Sequence, residues 1–239
     1  MKSPEFAADV DHVHVDERAW DGIYVLGDVH GCPREFDAMV DRLGVTADDL
    51  VVVVGDLVRK GPDSAGVVDR VRAADNVLTV RGNNEEKFLT GEKAPADAGL
   101  SADQVAWIAA QPAAISFGDA LVVHGGVDPR VALDDHTVAA LQTTRSLASG
   151  YERPFWWEVY DGPRTVFFGH TPLAAPVVRD HAVGLDTGCV YGNQLTAYDY
   201  RTGALHAVDP ERTHEERAAS KFVEPERAPE ERETEPLVA

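Results

Sequence analysis

Lysine is scarce in this chain of 239 residues: five, against 41 aspartates and glutamates, for a formal net charge of −19. Such a surface repels nucleic acid and anionic membranes, so neither is expected as a partner. An acidic, lysine-poor surface is the kind that salt-adapted, halophilic proteins carry. A melting temperature that rises with molar KCl is therefore expected, and a KCl titration in which it stays flat would remove that reading. Cysteine is scarcer still. Cys32 and Cys189 alone cannot build a disulfide framework and read as two free thiols in a reducing cytoplasm. No apolar run approaches the ~18 residues that span a membrane. Lys2 is followed by no apolar stretch, so the N-terminus does not read as a signal peptide. Hydrophobic residues still make up 44% of the chain, enough for one packed domain and a cytoplasmic enzyme.

Residues 1–20 are polar and without period, and read as a loose arm in which His12 and His14 are solvated. Residues 21–208 carry the pattern of the domain. Apolar runs at 22–26, 50–54 and 77–80 predict strands, separated by helices starting at Pro33 and over 64–74. A helix begins at Glu85, 91–99 is a loop, and Ser101 caps a helix over 102–110. Strands follow at 113–117 and 120–123, joined by Gly118-Asp119, then a helix over 137–147. Further strands are expected at 165–168, 182–185, 195–200 and 204–208. This is an α/β chain of two sheets with helices outside. From 209 to 239 it turns rich in Glu, Arg and Pro and reads as an acidic disordered tail.

Against that background stand five short islands: Gly27-Asp28-Val29-His30-Gly31, Gly55-Asp56-Leu57-Val58-Arg59-Lys60-Gly61, Arg81-Gly82-Asn83-Asn84-Glu85, His124-Gly125-Gly126 and Gly169-His170-Thr171. Four directly follow a β-branched apolar run, so each places a metal-binding side chain just past a strand end. Asp, His and Asn without cysteine form an oxygen and imidazole donor set. That set suits Mn first, then Fe, Zn, Co or Ni. Asp28 and His30 can face one ion. Asp56, past the neighbouring parallel strand about 4.8 Å away, is the natural carboxylate to be shared with a second ion. Asn83, His124 and His170 complete that second ion. Two divalent ions so placed can share a water, lower its pKa and neutralise phosphoryl oxygens. The expected substrate is therefore phosphorylated, either a phosphoprotein or a nucleotide.

The order of these islands resembles the phosphoprotein-phosphatase family of calcineurin-like metallophosphoesterases. So does the segment Asp186-Thr187-Gly188-Cys189-Val190-Tyr191-Gly192 with Leu195-Thr196-Ala197. That segment is most similar to the small prokaryotic branch, which holds bacterial Ser/Thr phosphatases and symmetrical diadenosine-tetraphosphate hydrolases. The resemblance runs from about residue 22 to 208. It implies a sandwich of two mixed sheets flanked by helices. It also implies Asp28, His30 and Asp56 on one ion, and Asp56, Asn83, His124 and His170 on the other. Arg145, in the helix after His-Gly-Gly, stands where the family keeps a phosphate-binding arginine, and Tyr191 where it keeps a tyrosine near the metals.

Two islands depart from the family pattern, which reads Gly-Asp-x-Val-Asp-Arg-Gly and Gly-Asn-His-Glu. The usual Asp and His form a pair in which the carboxylate raises the imidazole pKa and the imidazolium protonates the leaving oxygen. Here the pair is Arg59 and Asn84, and the usual phosphate-binding Arg is Lys60. Asn84 cannot donate a proton to a leaving group, and Arg59 adds a cation where an acid stood. The nucleophile-forming ligands are intact, so the site reads as retuned toward leaving groups that depart as stable anions. The expected activity is a two-metal phosphohydrolase like the Ser/Thr phosphatases, or a dinucleoside-polyphosphate hydrolase. A degenerate, phospho-ligand-binding module is the alternative outside enzymes. Trp156 and Trp157 read as a packed core pair rather than a substrate groove.

Overall fold

A computed structural model describes residues 3–225. In chain order its strands are β1 (His12–His14), β2 (Ile23–Leu26), β3 (Leu50–Val53), β4 (Val77–Thr79), β5 (Ala114–Phe117), β6 (Ala120–Val123), β7 (Thr165–Phe168), β8 (Val177–Arg179), β9 (Ala182–Gly184), β10 (Leu195–Asp199) and β11 (Leu205–Val208). They form two mixed sheets, ordered β11-β10-β2-β3-β4 and β1-β5-β6-β7-β9-β8. The strands β2, β3 and β4 are mutually parallel, with Leu26 opposite Val53 and Val53 opposite Thr79. In the other sheet β6, β7 and β9 are likewise parallel. The expected sandwich is present.

The unbroken apolar run of β3 follows from burial on both faces. Leu50, Val52 and Val54 enter the layer between the sheets, against Ile115, Phe117, Val122 and Phe167. Val51 and Val53 point outward, into a cluster with Phe36 and Met39 of α1 (Pro33–Leu43) and Val67 and Val68 of α2 (Ser64–Ala73). Pro33 opens α1, and Gly44, at φ 63°, closes it. Next come α3 (Asn83–Leu89) and α4 (Ala102–Ala109). The α4 cap is reciprocal: Gln104 N–H donates to Ser101 Oγ at 3.3 Å, and Ser101 N–H to Gln104 Oε1 at 2.9 Å. The outer face of the six-stranded sheet is covered by α5 (Val138–Thr143) and α6 (Trp156–Val159). There Trp156 and Trp157 are buried and pack on Phe168 with ring centroids at 4.8 Å, a core pair as expected.

Three expectations need correction, and one strand was not expected. The N-terminal arm is not loose throughout: β1 pairs parallel with β5, and His12 Nε2 and His14 Nδ1 lie 2.9 and 3.0 Å from Ser116 Oγ. Three residues are too few for a periodic signal. The helix expected over 137–147 stops at Thr143, because Thr144 is extended and Arg145 C=O accepts Trp156 N–H at 3.0 Å. Arg145 therefore sits in a loop. The short strand β8, just after Pro176, gave no sequence signal. Finally, the segment after β11 returns to the domain: Val223 bridges Leu173, and Phe222 stands edge-on to Tyr191 at 6.0 Å. The rest of the expected tail, 226–239, lies outside the described residues. Both cysteines are free and buried. Its hydrogen bond to Cys32, then burial, pushes the Cys189 thiol pKa up. Among the described residues no helix is long and apolar enough to cross a membrane.

Candidate metal centre

Six parallel-running strand ends, three from each sheet, deliver polar side chains to one place. Past β2 come Asp28 and His30, past β3 Asp56, past β4 Asn83 and Asn84. Past β6, β7 and β9 come His124, His170 and Asp186. The turns that aim them are unusual. His30, Asp56 and His170 have φ of 48°, 53° and 65°, a left-handed conformation uncommon for side chains of this kind. The glycines of the islands clear space. A Cβ at Gly169 would stand 1.9 Å from Asp28 Oδ1, and one at Gly82 2.3 Å from Asp56 Oδ1.

Asp56 lies at the middle. Its Oδ1 is 3.3 Å from His124 Nε2 and its Oδ2 is 3.6 Å from His30 Nε2. His30 Nε2 is also 3.8 Å from Asp28 Oδ2. Asn83 Oδ1 is shared by His124 Nε2 at 3.0 Å and His170 Nδ1 at 2.9 Å. The far nitrogens of two imidazoles rest on backbone carbonyls, His30 Nδ1 on Val58 at 3.1 Å and His124 Nδ1 on Val54 at 2.8 Å. Both Nε2 atoms are thereby turned toward Asp56. Donor atoms of Asp28, Asp56 and His124 fall within 4.8 Å of one another, and all three residues are buried. The six expected ligands thus converge, with Asp56 between two subsets, one oxygen toward each.

The electrostatics fit cations. Asp28, Asp56 and Asp186 are buried side by side. Burial, then the charges of Asp186 and Asp56, push the Asp28 carboxyl well above the usual range. Burial raises Asp186 also. Burial favours the neutral form of Asp56 too, but His124 beside it outweighs that and holds its carboxyl well below the usual range. For His124 burial opposes the charge, while Asp56, Asp28 and Glu85 overcome it and hold the imidazole up to about 10. Burial and Lys60 bring His30 down to about 3. Burial and His124 lower His170. A neutral imidazole and an ionised carboxylate are the ligand forms. His30 and His170 are already neutral, and the proton that the crowded carboxylates hold on His124 is one that divalent ions would replace.

Around this cluster sit the remaining expected residues. Lys60 Nζ is 2.7 Å from His30 Nε2 and 5.3 Å from the centroid of the Tyr191 ring, so Tyr191 meets the site through Lys60. Arg145 reaches in from its loop, with Nη2 3.0 Å from His170 Nε2 and 3.1 Å from His170 O, and Nε donating to Thr171 Oγ1 at 2.9 Å. Arg59 donates to Asn84 Oδ1, and the Asn84 amide donates to Asp56 Oδ2. The two residues that stand in for the family's Asp–His pair are therefore in contact with each other. Two further residues had no assigned role in the sequence. Asp186 follows a strand, as the islands do, but no glycine is directly beside it. The buried Glu85 accepts N–H groups of Gly82, Asp56 and Val58 at 2.8, 2.9 and 3.2 Å and so clamps the Asp56 turn.

A family model described as calcineurin-like phosphoesterase matches residues 22–205. An asymmetrical bis(5'-nucleosyl)-tetraphosphatase of Geobacillus thermodenitrificans is 28% identical over 220 residues, covering 74% of this chain and 90% of that protein. A symmetrical bis(5'-nucleosyl)-tetraphosphatase of Chromohalobacter salexigens is 27% identical over 266 residues, covering 78% and 97%. Among solved structures, one described as a candidate diadenosine tetraphosphatase superposes with a TM-score of 0.77 at 28% identity, covering 84% and 98%.

Proposed function

The chain belongs to the calcineurin-like phosphoesterase family and is a metal-dependent hydrolase of phosphate esters or anhydrides, and we propose that its preferred substrates are phosphoanhydrides of the dinucleoside-polyphosphate kind. One ion would be held by Asp28, His30 and Asp56, the other by Asp56, Asn83, His124 and His170. Manganese is the first candidate for both. When bound, such ions supply charge neutralisation for the phosphoryl group and a nucleophile at neutral pH.

The residues around the ions do the rest. Arg145 borders the ligands at His170 and Lys60 at His30, and both would orient the phosphoryl oxygens. The observation that carries the choice of substrate is the Arg59–Asn84–Asp56 chain of hydrogen bonds. Asn84, bonded to Asp56 and Arg59, is a carboxamide and Arg59 a guanidinium, and neither gives up a proton to a departing oxygen near neutral pH. A serine alkoxide needs that proton, and general acid help is typically worth 10²–10⁴-fold. A nucleotide phosphate leaves as an anion and is served by the cations Arg59 and Lys60. The naming of the relatives as tetraphosphatases supports the same choice.

A substrate panel tests this. In the manganese-loaded protein, kcat/KM for diadenosine tetraphosphate and for p-nitrophenyl phosphate is expected to exceed that for a phosphoserine peptide by about 10²-fold or more. A phosphoserine peptide turned over as fast as the others refutes the anhydride reading. Tight binding of all three with no turnover would mark a binding module instead.

A further inference from the structure

Beside the metal centre opens a recess of about 250 Å³, lined by Arg59, Lys60, Ser64, Phe88, Lys93 and Asp97 among others. Its composition runs against the rest of the molecule. Of five lysines in a chain of net charge −19, two line this one recess, together with an arginine. Asp97 is the single acid among its lining residues. Lys93 is exposed and makes no ion pair among the described residues, whereas neighbouring Lys87 is 4.0 Å from Glu92. Arg59 and Lys60 are consecutive residues in the left-handed conformation, φ 71° and 66°. The turn is pinned by Arg59 N–H donating to Ser64 Oγ at 2.8 Å and by the Arg59 side chain on Asn84. Backbone of this kind persists only where its surroundings enforce it. Here it carries two adjacent cations, one into the metal centre and both into the recess. A guanidinium has five N–H donors, and the only hydrogen-bond partner of this one among the described residues is Asn84.

The recess is smaller than the ~300–1,000 Å³ clefts that take drug-sized ligands. It suits phosphate groups rather than a nucleoside. Lys60 belongs to both spaces, so a chain whose terminal or internal phosphorus sits at the metals would run past Lys60 into the recess. We propose that this recess is a subsite for the phosphates on the leaving side of a polyphosphate substrate, with Lys93 a specificity-determining residue that favours two or more linked phosphates over one. The proposal rests on the anhydride reading above and names where the rest of that substrate lies. Arg59 and Lys60 would meet the first leaving phosphate and Lys93 the next, in a groove where surrounding acidic surface disfavours any anion not so matched.

The test is binding to the manganese-loaded full chain, by calorimetry, of methylenediphosphonate, which cannot be hydrolysed, and of orthophosphate. Lys93→Ala is expected to weaken methylenediphosphonate about tenfold relative to orthophosphate, the scale of one charge-assisted hydrogen bond. Lys93→Glu should weaken it further and Lys93→Arg should restore it. An unchanged ratio of the two affinities, or both ligands weakened alike, overturns the subsite. Turnover is measured separately. If the wild type cleaves p-nitrophenyl phosphate but no anhydride, the functional reading fails while the affinity ratio still decides the subsite.

Discussion

Asp56→Asn is expected to lower kcat by about 10³-fold or more, beyond the 10²–10³ lost with a single transition-state hydrogen-bond donor. The reason is the number of tasks that meet at one carboxylate. Its two oxygens face different imidazoles, His124 at 3.3 Å and His30 at 3.6 Å, and it accepts the Asn84 backbone N–H at 2.9 Å. An amide keeps the shape and loses the charge, and whichever way it turns its NH₂ faces a donor. Elemental analysis should show metal content falling alongside activity. His124, which owes its raised pKa to Asp56 against the effect of burial, should titrate at lower pH in the metal-free variant, as followed by NMR. A variant that keeps its near-UV circular dichroism, its metals and its kcat would remove Asp56 from the centre of the mechanism.

The second large effect is a gain. Restoring the family pair with Arg59→Asp and Asn84→His together is expected to raise kcat/KM for a phosphoserine peptide by about 10²-fold, the lower end of general acid assistance. The value for diadenosine tetraphosphate should stay level or fall. The geometry admits the exchange, since the two side chains already touch. Aspartate also tolerates the left-handed backbone that Arg59 adopts at φ 71° better than most residues do. Either substitution alone should do worse than the pair: a lone aspartate adds an uncompensated charge, and a lone imidazole stands beside Arg59 with its proton affinity lowered. Equal acceleration of every substrate would count against the leaving-group account.

Most of the centre was legible in the sequence because a ligand flanked by glycine just past a strand end is a local signal. Each island carries its own strand end, and the two parallel trios need only stack for Asp28, Asp56, Asn83, His124 and His170 to meet. Asp186 opens a segment that carries the family resemblance, but its carboxylate directly follows Leu185 rather than a glycine, and no ligand role was assigned to it. Arg145 shows the opposite failure. Its position in sequence was informative, but the helix assigned to it ends at Thr143, because pairing with the segment at Trp156 outweighs two more threonine-bordered helical residues. The strand β1 and the return of the chain at Val223 rest on single distant partners, Ser116 and its neighbours for one and Leu173 for the other. Nothing local encodes such contacts.

The path of the chain through the two sheets has a kinetic consequence. The first sheet is completed by β10, near the end of the chain, through pairing of Leu26 with Ala197, while the second borrows β1 from the beginning through His12 and Ala114. Neither sheet can be finished by a contiguous stretch of sequence. Long loops must close before either pairing yields its contacts, so this sandwich belongs with the slow, high-contact-order folders of the millisecond-to-second range rather than with fast helical domains. During synthesis β2 emerges with one edge waiting for a strand some 170 residues downstream. For that interval an unpaired edge of a parallel sheet is open to other chains. In a growing polypeptide, the strong negative charge would serve as a guard that keeps neighbouring chains apart until β10 arrives.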